Sequence, residues 1–204
     1  RCRSRARSRV RPSDPSDSNL FRSRRILVGM DLSINGALDL HETVGAAALG
    51  DTAAFEALYR RYAPGLVPVL WRLAAGDEAR AEDWLHDAFV QAWGSLGKLR
   101  DPGAFPAWLK RLAINVALSD RRRAGFRVVE AAQEAAGPEP PWPGADLDLE
   151  RAIARLPERA RQVLVLFCLC ELSHAEIGEL MTIETGTSKA QLSRARSMLK
   201  EMLA

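Results

Sequence analysis

Residues 104–123 combine apolar side chains at helical spacing with cationic side chains that could contact phosphates. Read as a helix at about 100° per residue, the stretch gathers its large apolar side chains on one side. The other side mixes aliphatic residues with Lys110 and Arg111, and the stretch ends in three consecutive arginines. Cations in a last turn suit the helix dipole, so the pattern fits an amphipathic core helix with a basic end. It also fits a helix that packs with one side and binds nucleic acid with the other.

Metal binding and catalysis have weaker support in the sequence. Cys168, Cys170 and His174 could form a metal or redox sensor, but on a helix the two cysteines point about 200° apart. Buried cysteines in an apolar run are more often part of a core. Stoichiometric zinc in the purified protein would support the sensor hypothesis. A Gly-rich phosphate loop, an HExxH motif and a GxSxG motif are all missing, so we expect neither an enzyme nor a cofactor.

The charge of the chain is distributed unevenly. The formal net charge of the 204 residues is +3, but residues 1–25 contain nine arginines and two aspartates. The remaining residues carry 20 basic and 24 acidic side chains, so the body is slightly acidic. No apolar run is long enough for a membrane span. Three cysteines are too few for a disulfide framework, which favours a reducing compartment.

The basic segment before Met30 has too few apolar residues to fold by itself. Three interpretations remain open: a disordered arm that adds nonspecific DNA affinity, a segment resembling a transit peptide, or sequence upstream of a true start at Met30. We expect residues 1–48 to be such an arm or a mis-assigned start.

Helical periodicity dominates residues 49–124. Asp51 is a predicted N-cap, and Pro64 and Gly65 are predicted to end the first helix, with a second short helix at 66–73. A long helix is predicted at 77–96, followed by a turn at 100–103. Polar residues accompany its apolar stripe, namely Glu82, Asp83, His86, Asp87 and Gln91.

A change in composition separates a second helical unit at 148–204. Residues 125–147 are rich in proline and acidic residues, which is typical of a linker. Beyond them, Ser173 and Glu176 form a capping box that begins a short helix. A tight turn at 181–184 and a basic helix at 185–203 complete the layout of a helix-turn-helix. The sequence therefore predicts an all-α fold of two small helical domains joined by a flexible linker.

Six short motifs occur in the order typical of one family. They are FEALYRR (55–61), AEDWLHDAFVQAW (81–93), AFPAWLKRLAIN (104–115), LPER (156–159), LSHAEIGEL (172–180) and GTSKAQLSRAR (186–196). The chain resembles the extracytoplasmic-function (ECF) group of bacterial RNA polymerase sigma factors over about residues 51–203, apart from the linker.

The resemblance implies a cytoplasmic transcription initiation factor without catalysis of its own. Residues 49–124 would be sigma region 2, which binds core polymerase and melts the −10 element. Residues 148–204 would be region 4, which reads the −35 element, and the linker would thread the polymerase channel. The implied partners are the clamp helices of the largest polymerase subunit, the flap of the second subunit, promoter DNA and an anti-sigma factor.

The resemblance also assigns residues to each interface. The clamp helices would contact Glu82, Asp83, His86, Asp87 and Gln91. The melted −10 strand would contact Arg100, Phe105, Lys110, Arg111, Asn115, Arg121, Arg122 and Arg123, whereas Trp108 would pack in the core. The −35 element would contact Thr185, Thr187, Ser188, Lys189, Gln191, Arg194 and Arg196, with base edges read by Ser188, Lys189 and Gln191.

Four positions depart from the family pattern. Thr182 stands where glycine is usual, and Glu184 stands where proline is usual. Ser188 replaces an apolar residue, and Gln191 replaces a basic one. Each lost phosphate cation weakens DNA binding, so we expect either low affinity for the −35 element or an unusual sequence preference. A stand-alone helix-turn-helix regulator, which would bind duplex DNA without polymerase, is the alternative function.

Overall fold

The computed structural model describes residues 37–124, 140 and 146–204, and the side chains of these residues except 37–39 and 121–124. The described residues form eight α-helices and no strand, so the all-α prediction is confirmed. The N-terminal unit contains α1 (Ala37–Ala48), α2 (Thr52–Leu73), α3 (Glu78–Ser95) and α4 (Phe105–Ala124). The C-terminal unit contains α5 (Leu147–Arg155), α6 (Glu158–Cys168), α7 (His174–Met181) and α8 (Thr185–Met202).

Helix α1 lies in the stretch that the sequence assigns to a basic arm. The expectation of an arm through residue 48 is therefore wrong for residues 37–48, whereas residues 1–36 lie outside the described part. Val44 and Ala47 are buried and Leu40 packs against the same core. Their helical spacing gives α1 an apolar side, which packs against α2 and against the connection that leads to α4.

Helix α2 is one continuous helix, although the sequence predicts a break at Pro64 and Gly65. Both Pro64 and Pro68 lie inside it. Each proline removes one intrahelical hydrogen bond, but the buried stripe from Leu58 to Leu73 runs through both positions without interruption. Packing of that stripe against α3 and α4 offsets the local cost.

An N-cap at the start of α3 and one side-chain hydrogen bond between α3 and α4 fix how these two helices pack. The Asp77 carboxylate accepts a hydrogen bond from the Arg80 backbone N–H at 3.0 Å, as expected of an N-cap. The buried indole of Trp84 donates to Asp120 Oδ2 at 3.0 Å and ties α3 to α4. These contacts fix the direction in which the outer faces of both helices point.

The C-terminal unit is stabilised at its helix ends. The predicted capping box of Ser173 and Glu176 is present at the start of α7. The buried Arg161 donates from Nη1 to the carbonyl oxygens of Ala154 (3.2 Å) and Leu156 (2.7 Å). It thereby satisfies carbonyls that the end of α5 leaves without intrahelical donors.

The turn between α7 and α8 is tight. Thr182 adopts the left-handed conformation, with φ at 56°, which is costly for a β-branched residue. A Cβ atom at Gly178 would lie 2.8 Å from the Ile183 carbonyl oxygen, so the turn can approach α7 only because position 178 is glycine. The two helices are consequently held in a fixed relation.

The two units touch through α2, which packs against α5 and α6. Arg72 at the end of α2 forms a bidentate ion pair with Glu150 in the first turn of α5. Both residues are nearly inaccessible, with 4% and 2% of their surfaces exposed. The predicted linker, residues 125–147, lies outside the described residues except for residue 140 and the beginning of α5.

Candidate nucleic-acid and partner interfaces

One side of α3 presents the polar residues that the sequence assigns to polymerase binding. Trp84, Leu85 and Ala88 face the core, and this leaves the opposite side to solvent. The acidic face, as we call it, consists of exposed side chains only: Glu82, Asp83, His86, Asp87 and Gln91.

A groove of about 700 Å³ lies beside the acidic face, between α2 and α3. Tyr59, Pro64 and Trp71 line it on the side of α2, and Glu82 and His86 line it on the side of α3. The groove gives a partner both an apolar floor and a charged rim, which is the composition of a protein–protein interface.

Exposed apolar residues extend this surface, and the sequence reasoning misses them. Val90 is 55% exposed and Trp93 is 39% exposed, with the Trp93 ring edge-on to Phe55 at 4.7 Å between centroids. Trp93 follows Phe89 by four residues and would therefore be expected on the apolar side of α3, but more than a third of its surface is exposed. Val90 follows His86 by four residues and Asp87 by three, so helical spacing alone would have added it to the acidic side.

Helix α4 brings three of its predicted strand-binding residues together. The strand face consists of Lys110, Arg111 and Asn115, of which Arg111 and Asn115 are exposed and Lys110 is half-buried. Arg100, in the turn before α4, is also exposed. The side chains of Arg121, Arg122 and Arg123 lie outside the described part.

Phe105 is not available to DNA. It has 0% of its surface exposed, and its ring contacts Tyr62 at 5.4 Å and Trp108 at 5.9 Å between centroids. The prediction of a strand contact is therefore wrong, because Phe105 opens the apolar stripe of α4. Trp108 packs against the same core.

Helix α8 turns a different set of residues outward than the sequence predicts. Ser188 is 0% exposed, lies on the buried stripe with Leu192, and bonds to His174 Nδ1 at 2.9 Å. Its assignment as a base-reading residue is wrong for this reason. Lys189, Arg194 and Thr185 are exposed, whereas Thr187 and Gln191 are half-buried.

Arg196 also belongs to the interior of the C-terminal unit. It is half-buried, and its guanidinium lies 5.9 Å from the centroid of the Phe167 ring. A phosphate contact by Arg196 would have to compete with this packing.

The reading face of α8 is defined by the residues that are exposed along one side, and three of them are missing from the prediction. The face consists of Lys189, Ala190, Ser193, Arg194 and Ser197. Two steps of four residues from Lys189 lead to Ser193 and Ser197, so the helical period could have identified them.

His174, the first residue of α7, bonds to Ser188 on the buried side of α8. Its ring stacks on Phe167 at 4.7 Å between centroids. Burial, together with the positive charges of Lys189 and Arg196, lowers the pKa of His174 below its ordinary value. The neutral imidazole is therefore the favoured form beside Ser188.

Cys168, the last residue of α6, and Cys170, two residues after it, are held as thiols. Burial raises the pKa of Cys170 to about 12, and burial also raises the pKa of Cys168. Metal binding requires the thiolate. Within the residues described, no three His, Cys, Asp or Glu side chains come close enough together to hold a metal ion.

None of the helices in the described part combines the length and apolar character that crossing a bilayer requires.

Comparisons with known proteins agree with the division into two units. Residues 58–127 match the family Sigma-70 region 2, and residues 146–199 match Sigma-70, region 4. The solved structure of the sigma factor RpoE in complex with the anti-sigma factor NepR from Bartonella quintana superposes with a TM-score of 0.56. At 24% identity, covering 73% of this chain and 96% of that one, this likeness supports the fold.

Curated relatives carry the family assignment. The ECF RNA polymerase sigma factor SigM of Mycobacterium tuberculosis is 31% identical over 170 residues, which are 79% of this chain and 83% of SigM. SigW of Bacillus subtilis is 30% identical over 76% of this chain and 91% of SigW. SigE of Mycolicibacterium smegmatis is 32% identical over 77% of this chain, and the chain spans 65% of its length. The chain belongs to the extracytoplasmic-function RNA polymerase sigma factors.

Proposed function

We propose that this sigma factor docks on core RNA polymerase through the acidic face and its groove, melts the −10 element with the strand face, and reads the −35 element with the reading face. Promoter-specific transcription initiation is the function of the family. One observation carries the division of roles. The acidic face of α3 and the cationic strand and reading faces of α4 and α8 are exposed, whereas the other sides of these helices are buried.

The acidic face supports docking to a basic helical surface. Glu82, Asp83 and Asp87 provide three carboxylates at helical spacing on an exposed side of α3. Such charge speeds and orients association more than it sets affinity. Affinity would come from Val90, Trp93 and the groove, because apolar and aromatic anchors dominate interface energetics.

The strand face supports capture of a melted strand. Flipping a base out of a duplex costs a few kcal/mol, and a protein offsets this cost by binding the single strand alone. Asn115 offers an amide that can donate and accept hydrogen bonds at a base edge. Lys110 and Arg111, on the same side of α4, supply cations for the phosphates.

The reading face supports recognition of duplex DNA in the major groove. Its N-terminal part carries Lys189, whose ammonium suits guanine. The half-buried Gln191 lies beside this face, and its amide suits adenine. Arg194, a turn further on, is placed for phosphate. Ala190 and Ser193 lie between these cations, where small side chains let the helix approach the base edges.

An anti-sigma factor is the partner that we propose for regulation. The superposed RpoE is in complex with the anti-sigma factor NepR, and the groove beside the acidic face offers a comparable partner an apolar floor. The stand-alone regulator is not favoured, because it gives the acidic face no role.

The experiment uses purified chain, core polymerase from the source bacterium and sheared genomic DNA from the same bacterium. Sequencing of transcript 5′ ends should reveal starts that appear only when both proteins are present. The absence of chain-dependent starts would refute the proposal.

Asn115→Ala provides the sharper test on a promoter identified in this way. We expect at least tenfold less open complex, measured by permanganate reactivity of unpaired thymines, because a base contact made only after melting is lost. A template with a pre-melted −10 bubble should recover most of the activity. Lys200→Ala, an exposed change in the last turn of α8, is the control and should behave as wild type.

A further inference from the structure

The ion pair between Arg72 and Glu150 joins two units whose chain positions are 78 residues apart. Arg72 Nε donates to Glu150 Oε2 at 2.8 Å, and Arg72 Nη1 also donates to the Pro68 carbonyl oxygen at 3.3 Å. The guanidinium and the carboxylate are both buried. The contact therefore exists only while the two units are together, because each residue belongs to a different unit.

The same arrangement engages the strand face. Lys110 Nζ donates to the Cys170 carbonyl oxygen at 3.5 Å, and this bond again joins the two units. The pKa of Glu176 in α7 is lowered mainly by its hydrogen bonds with Ser173, and the positive charge of Arg111 adds to this lowering. A backbone carbonyl thus lies where the proposed function requires a phosphate of a melted strand.

Contact between the units also conflicts with reading two promoter elements at once. Modules that read elements two turns of duplex apart must be separated by about 70 Å, whereas α2 packs directly against α5 and α6. The structure accordingly differs from the arrangement that a promoter demands.

We propose that the Arg72–Glu150 pair is an internal latch that holds the free sigma factor in a closed state, in which the C-terminal unit engages Lys110 of the strand face. This inference rests on the proposed function only for the role of the strand face. A buried ion pair is suited to the task because desolvation cancels much of its Coulomb energy. When the latch opens, both ions regain their hydration, so closure is readily reversed. The bidentate geometry of the pair makes the closed arrangement specific.

The first test measures closure without polymerase or DNA. Full-length Arg72→Gln and Glu150→Gln variants leave one buried charge without its partner, which should separate the units. We expect a larger radius of gyration by X-ray scattering. We also expect acetylation of Lys110 by a soluble reagent, quantified by mass spectrometry against the exposed Lys200, to accelerate about fivefold, because protection of Lys110 scales with the closed population.

The chain offers a matched control for each variant. Glu56 and Arg60 form an exposed ion pair within α2, so Glu56→Gln and Arg60→Gln make the same charge changes without touching the latch. Both should resemble wild type. An Arg72→Met/Glu150→Met double variant should close again, because apolar residues of similar volume can replace a buried pair.

Three results would overturn the latch. The single variants could retain wild-type scattering and Lys110 protection, or the double variant could remain open. Alternatively, the single variants could lose their helical circular dichroism, which would show that the pair holds the fold itself instead of a separable contact.

A second measurement separates the latch from the proposed role of the strand face. The probe is a fluorescent single-stranded DNA 12-mer of mixed sequence, titrated with each variant. We expect about tenfold tighter binding by Glu150→Gln than by Glu56→Gln, and tighter binding by Arg72→Gln despite its lost positive charge. If Lys110 becomes reactive but no variant binds the 12-mer, the latch stands and the strand role fails. If all variants bind equally and Lys110 stays protected, the latch fails and the strand role stands.

Discussion

At the scale of single residues, exposure decides which polar side chains of α8 can touch DNA. Ser188 and Lys189 are neighbours in sequence, but Ser188 is buried against His174 and Lys189 is exposed. A residue type that suits base contact is therefore insufficient evidence that the residue touches DNA. The stripe of Leu192, Ala195 and Leu199 already contains position 188 by helical spacing, so the sequence held the signal for this correction.

Substitution of Ser188 should mainly reduce stability, whereas substitution of Lys189 should mainly reduce promoter affinity. Ser188→Ala removes the partner of His174 and should lower the free energy of unfolding by about 1 kcal/mol, with little change in promoter affinity. Lys189→Ala should leave stability within about 0.5 kcal/mol but lower promoter affinity and reduce its salt slope by about one. Urea melts and holoenzyme titrations of a mapped promoter at several salt concentrations would measure both. Equal loss of affinity in the two variants would contradict this assignment.

His174 should make stability depend on pH in a defined direction. Its pKa is lowered in the folded chain, so the unfolded state takes up a proton first as the pH falls below about 6.5. The contribution to stability is complete above that pH and is lost as the pH falls toward the folded pKa. Urea melts between pH 5.5 and 7.5 should show this loss, and His174→Gln should flatten it. The exposed His86→Gln control should retain the wild-type slope, and a flat wild-type profile would exclude the effect.

At the scale of elements, helix ends explain why some boundaries were predictable. Asp51 and the Ser173–Glu176 capping box are local signals, and α2 and α7 begin where they indicate. The C-terminal end of α2 was obscured because Pro64 and Pro68 are local breakers whose cost is offset by distant packing. Local chemistry therefore predicts where a helix starts better than where it continues.

The turn between α7 and α8 should become more stable when its strain is removed. Thr182→Gly should raise the free energy of unfolding by about 1 kcal/mol, because glycine adopts the left-handed conformation without a steric penalty. Thr185→Gly, placed in the first turn of α8, is the matched control and should lower stability through added backbone entropy. Thermal melts of both variants test the sign. A destabilising Thr182→Gly would show that the threonine side chain has a compensating role.

At the scale of the whole molecule, the all-α class and the two units could be predicted from periodicity and composition. The contact between the units could not, because Arg72 and Glu150 carry no local sign that they pair across 78 positions. Two site residues, Phe105 and Ser188, were misplaced because the family pattern assigns roles without reporting burial. The five residues of the acidic face are all exposed, as their helical spacing predicts, whereas the exposed Val90 beside them was missed.

Docking of the molecule on core polymerase should depend on the charge of that face. Asp83→Lys combined with Asp87→Lys should slow association about tenfold at low salt, and the difference should shrink as salt screens the charges. Stopped-flow mixing with labelled core measures the rate. Glu42→Lys combined with Glu201→Lys changes the net charge equally at exposed sites on α1 and α8 and should have a much smaller effect. An equal effect of both pairs would mean that net charge alone governs docking.

The two prolines of α2 have a consequence for the groove beside α3. Pro64 and Pro68 have no N–H group, so the main-chain oxygens of Arg60 and Pro64 lose their usual donors, and both of these residues line the groove. Main-chain oxygens are strong acceptors, and a partner helix or loop can bond to them whatever side chains surround them. Evolution could vary every side chain of the groove and retain this pair of acceptors, whereas replacing either proline would remove one.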